Sequence, residues 1–124
     1  MDYFLMSRNR RSIGVGRFVE LLRAQWPTGR MKSIADPEDH HSVEFELPMK
    51  ESTLLGSLNR EGSTVVFYGS IRDCAGFALW YQTVVPEVCP LLMFDEGYSR
   101  SIGLNPDTTA EEIIHAFSDE LSSS

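Results

Sequence analysis

Apolar and polar residues alternate with a period of two in SVEFELPM, residues 42–49. Val43, Phe45 and Leu47 fall on one side, Glu44 and Glu46 on the other. That pattern predicts a half-buried strand of an antiparallel sheet, with Pro48 at a strand end or edge where no ladder donor is needed. Five further stretches read as strands: YFLM (3–6), TLLGSLN (53–59), STVVFYGS (63–70), PLLMFDE (90–96) and SRSIGLN (99–105). Asn59-Arg60-Glu61-Gly62 predicts a hairpin turn with a positive φ at Gly62.

Three stretches change to helical spacing. Val15, Phe18, Val19, Leu22 and Trp26 recur at intervals of three and four, and Pro27 with Thr28-Gly29 ends the run. Residues 72–86 are rich in aromatic and β-branched side chains, which favours a strand. Their spacing favours a helix: Phe77, Trp80, Tyr81, Val84 and Val85 make one continuous stripe, whereas a strand would spread them over both faces. Asp73 is read as the N-cap and Pro86 as the stop. The last helix follows the turn Asn105-Pro106-Asp107. Thr108 and Thr109 each precede a glutamate by three positions, so a capping box is available in either register. Ile113, Ile114, Phe117 and Leu121 share its apolar face, and His115 lies beside it.

The element order is therefore β-α-β-β-β-α-β-β-α. It predicts a single α+β domain over residues 1–124: one layer of antiparallel or mixed sheet, five to six short strands, with two to three helices packed on it.

Composition fits such a domain. The chain has 124 residues, 42% hydrophobic and 23% charged, enough to bury a core. No apolar run approaches the roughly 20 residues of a membrane helix. In MDYFLMSRNRRS the apolar residues precede the basic ones, the reverse of a secretory signal, so a cytoplasmic location is expected. The charge is lopsided. Residues 1–62 hold nine acidic and nine basic side chains. Residues 63–124 hold nine acidic residues against Arg72 and Arg100 alone, and so contain the whole net charge of −7. Nucleic acid is a poor partner for such a surface, which lacks clustered Lys and Arg. A protein with a basic surface or a cationic small ligand is a better one.

Signatures of catalysis are few. Cys74 and Cys89 form neither a CxxC pair nor a Cys/His zinc spacing and are expected as free thiols. Gly14-Val15-Gly16 lacks the third glycine of a dinucleotide loop and the Lys-Ser/Thr of a P-loop, so it reads as helix entry. DPEDHH (36–41) gathers metal-binding and proton-transferring side chains. Asp36-Pro37 is a turn signal, however, and His40 and His41 are adjacent rather than three to five apart. The segment is read as a solvated loop that supplies Asp36, Glu38 and Asp39 to a binding rim. No catalytic residue, metal ligand or cofactor site is assigned. The acidic corner Asp95-Glu96, followed by Tyr98, offers two carboxylates and an aromatic anchor at the end of a buried strand, and is assigned to partner binding.

A small acidic α+β domain of this kind resembles the immunity proteins of bacterial polymorphic-toxin and contact-dependent growth inhibition systems. The resemblance lies in size, charge and architecture, and no residue is carried over from it. It implies a non-enzymatic toxin-neutralising module that covers a basic site on its partner. Two alternatives stand beside it: a small enzyme or metal-binding protein using residues 36–41, and a structural or oligomerisation domain without chemistry.

Overall fold

The computed structural model describes residues 2–7, 14–34, 41–84, 91–97 and 100–117, with the His41 side chain excepted. Its elements are β1 (Asp2–Ser7), α1 (Val15–Gln25), β2 (Arg30–Ser33), β3 (His41–Pro48), β4 (Thr53–Asn59), β5 (Thr64–Tyr68), α2 (Ile71–Val84), β6 (Leu91–Asp95), β7 (Ser101–Leu104) and α3 (Ala110–Ala116). The strands form one sheet in the order β2-β3-β4-β5-β1-β6-β7, and every neighbouring pair is antiparallel. The α+β class and the element order are those the patterning predicts, with one strand more. The addition is β2, RMKS, in what reads from sequence as a bare connection. It has a single apolar residue, Met31, which faces Phe45, while Arg30 and Lys32 stand opposite Glu46 and Glu44. An edge strand needs little more than this, because opposite charges across the pair support it and its lysine discourages further pairing.

All three helices pack on one face of the sheet. Phe18 of α1 meets Phe45, Phe77 of α2 meets Phe45 and Phe67, and Phe117 just after α3 meets Tyr3 edge-on. The inward residues are read straight across the strands: Met31, Phe45, Gly56, Phe67, Tyr3, Asp95 in one row, and Ser33, Val43, Leu58, Val65, Leu5, Met93, Ile102 in the next. Gly56 is required in the first row. A Cβ there would strike the Phe45 ring and come within 2.8 Å of the Val66 carbonyl, so the glycine lets the phenyl ring cross the strand.

Residues 71–84 are helical, as their spacing predicts over their β propensity. Phe77 and Tyr81 are buried, Trp80 and Val84 half-buried, and Val85 and Pro86 lie outside the described residues. The helix begins earlier than the sequence suggests. Ser70 is its cap and accepts from the Asp73 amide at 3.2 Å, which moves Asp73 from the N-cap into the first turn. Freed from capping, the Asp73 carboxylate accepts from the Glu51 amide (3.2 Å) and the Ser52 hydroxyl (2.7 Å) and ties the β3–β4 turn to α2. At α3 the capping box takes the Thr109 register: Thr109 Oγ1 accepts from the Glu112 amide. Gly62 has φ 74°, as its hairpin requires. Among the described residues no helix is long and apolar enough to cross a membrane.

Candidate protein-binding face

A strand in a sheet covered on one side should be apolar on that side only. β3 obeys this rule. Its Val43, Phe45 and Leu47 are buried, while Glu44 and Glu46 are exposed. The three adjacent strands β5, β1 and β6 do not. β1 buries Tyr3 and Leu5 under the helices and presents Phe4 and Met6 on the other face. β5 does the same with Val65 and Phe67 against Val66 and Tyr68, and β6 with Leu91 and Met93 against Leu92 and Phe94. No described element lies on that second face.

The ladder registers assemble its side chains into rows. The central row runs Lys32, Glu44, Ser57, Val66, Phe4, Phe94, Ser101 across all seven strands. Phe4 and Phe94 stack within it at 5.1 Å between ring centroids and 8° between planes. On one side of it run Arg30, Glu46, Leu55, Tyr68 and Asp2. On the other are Thr64, Met6, Leu92 and Gly103. Leu55 and Tyr68 are the most open large apolar side chains of the described chain, 42% and 50% exposed. The middle of the face is thus a continuous apolar patch, pre-shaped by ring stacking and rigid because every residue in it sits on a paired strand.

Carboxylates bracket the patch. Glu44 and Glu46 stand on β3. Asp2 and Glu96 stand together at the far corner, where the Glu96 amide donates to the Asp2 carbonyl (3.1 Å) and the Asp2 amide to Glu96 Oε1 (3.4 Å). The cations Arg30 and Lys32 are confined to the edge strand. Four carboxylates against two cations leave the face net negative.

This arrangement divides the assigned corner. Glu96 belongs to the open face. Asp95 does not: it points under the helices, is 3% exposed, and accepts from the Arg100 amide at 3.5 Å while its own amide donates to the Arg100 carbonyl. Its assignment to a partner-binding surface is corrected accordingly. Successive residues of a strand point to opposite faces, so adjacent carboxylates on one strand cannot serve one surface. Tyr98, Asp36, Glu38, Asp39 and His40 lie outside the described residues. Among the described residues no group of three or more His, Cys, Asp or Glu side chains could hold a metal.

The apolar residues of the open face, Leu55, Tyr68, Phe4, Val66 and Phe94, were not singled out from sequence, although a signal for them exists. YFLM, VVFY and LLMF are unbroken apolar runs, and such runs belong to strands covered on both sides. In a single-layer sheet they mark a second face that water alone does not suit.

Cys74 is a buried, free thiol. Burial first, and then the negative charge of Asp73, push it up to about 12, so it stays protonated at neutral pH and behaves as a small hydrophobe rather than a nucleophile. Cys89 lies outside the described residues. Compared with protein-family models, curated proteins and solved structures, the chain matches none.

Proposed function

We propose that this chain is a non-enzymatic protein-binding module whose open sheet face docks a partner that presents an apolar anchor set among Lys and Arg side chains. The observation that supports it is the second apolar face of β5, β1 and β6, which no described element covers. Only Leu55 and Tyr68 in it are exposed and the rest are half-buried, but a contiguous apolar area of this kind on a sheet face marks an interaction surface. The surrounding carboxylates select the partner's charge, since complementary potentials steer association and like charges repel it. A second copy is the poorer occupant, because it would bring the same net-negative face against itself. An immunity-type role fits this reading: a toxin acting on a phosphate-bearing substrate has a basic cleft, and a rim of Glu44, Glu46, Asp2 and Glu96 around an apolar plug would cover it.

The test is binding kinetics between the full chain and the product of the adjacent gene at two salt concentrations. Lysine at positions 44, 46 and 96 together should slow association at low salt, and the difference should shrink as salt screens the charges. Tyr68→Ala should speed dissociation about 30-fold, the size of a central aromatic hot spot. Association indifferent to both charge reversal and salt, with dissociation unchanged in Tyr68→Ala, would remove the proposal. A mass that rises with concentration for the chain alone, and falls back in Tyr68→Ala, would instead put a second copy on the face.

A further inference from the structure

On the helix side of the sheet, the C-terminal end of α1, the β3–β4 turn and the first half of α2 surround a hollow of about 510 Å³. That volume lies within the range of small-ligand sites. Its walls include Trp26, Met49, Trp80, Lys50, Arg72 and Gly76. The two indoles meet at 4.9 Å with their planes 71° apart, and both also pack against Phe77, at 6.0 and 5.6 Å. Each ring therefore has one edge in the core and another on the hollow, and both residues remain half-buried. The two touching rings form an aromatic corner at the hollow, against which a flat ring can make offset and edge-on contacts.

Gly76 adds a second observation. It lies inside α2, where glycine is among the least favourable residues. Close packing would explain its presence, as it does at Gly56. Here it does not: a Cβ on Gly76 would meet nothing within 4 Å, and the residue is exposed. No described part of the chain uses the room that the missing side chain leaves.

The charges give the third. Lys50 and Arg72 are two of only eleven basic residues in a chain of net charge −7, yet both stand at this hollow. Lys50 has no ion pair among the described residues. Arg72 has a long one, 3.7 Å to Glu51, with both side chains largely exposed and hence weakly held. Asp73, also on the wall, already accepts from the Glu51 amide and the Ser52 hydroxyl and holds the turn bearing Lys50 in place.

We infer that this hollow binds a small planar aromatic carboxylate, its ring against the corner that Trp26 and Trp80 form and over the bare backbone of Gly76, and its acid group toward Lys50 and Arg72. The site lies on the opposite side of the sheet from the proposed docking face and does not depend on it.

The chain contains just two tryptophans, and both line the hollow. Their two indole N–H signals in a ¹H–¹⁵N spectrum are therefore direct reporters. Titration with 2-naphthoate should shift both signals saturably, with Kd below about 1 mM, as a fragment of this size can reach. Uncharged 2-naphthamide should bind at least about 10-fold more weakly, a difference that Lys50→Ala with Arg72→Ala should abolish. Gly76→Leu should block the shifts while Tm is maintained or raised, since leucine is the better helix former. No saturable shift with the acid would overturn the inference. So would equal binding of acid and amide, or unchanged binding by a folded Gly76→Leu chain.

Discussion

Phe77→Ala is expected to cost about 3–5 kcal/mol, the range for removing a large aromatic from a packed core. Phe77 is fully buried, and its ring lies within 6.3 Å of five others: Trp26, Phe45, Phe67, Trp80 and Tyr81. Phe45 and Phe67 come from strands on either side of Gly56, Trp26 from the end of α1, and the remainder from α2 itself. The side chain thus joins two helices to the sheet, and alanine would leave a cavity that rings from rigid elements cannot easily fill. For a chain of this length the loss corresponds to roughly 10–20 °C in Tm. Arg23→Ala, on the exposed side of α1, should stay within about 0.5 kcal/mol. Urea unfolding of both variants measures the contrast. A loss below about 1 kcal/mol for Phe77→Ala would mean that the aromatic cluster is not the centre of the core.

The second large effect separates neighbours in sequence. Asp95→Lys should destabilise by about 3 kcal/mol or more, because it places a long cation under the helices and removes the carboxylate that accepts from the Arg100 amide. Glu96→Lys, one residue further on, should change stability by no more than about 0.5 kcal/mol, because its side chain is exposed on the other face. Equilibrium unfolding of the two single variants decides it. Similar costs at both positions would contradict the division of this corner between the two faces.

That division shows where the sequence was legible and where it was not. Periodicity over many residues survives into the structure. The alternation of residues 42–49, the helical stripe of residues 71–84 that prevails over β propensity, and the positive φ of Gly62 all follow from local rules that tertiary packing reinforces. Single-residue placements are weaker, since one position of register decides them. Asp73 became an anchor for the β3–β4 turn because Ser70 caps the helix. The choice of Thr109 over Thr108 rested on which hydroxyl the Glu112 amide meets. Asp95 and Glu96 looked like one acidic site until the strand's period of two assigned them to different faces. β2 was hidden because an edge strand with a single half-buried apolar side chain leaves almost no hydrophobic signal, and its charge pairing with β3 becomes visible only once the two are aligned. The open face was hidden for a different reason. Its apolar runs are plain in the sequence, but only the strand order β5-β1-β6 shows that they are contiguous, and only the placement of all three helices on one side shows that no described element covers the other.

The docking face can be tested by methyl cross-saturation of the isotope-labelled chain in complex with the unlabelled product of the adjacent gene. Irradiating the partner should attenuate the methyl signals of Leu55, Val66, Met6 and Leu92 on the open face, and spare those of Leu22, Leu47 and Ile113 in the helix-side core. Attenuation confined to methyl groups on the helix side, with Leu55 and Val66 unaffected, would contradict the assignment of the open sheet face as the binding surface.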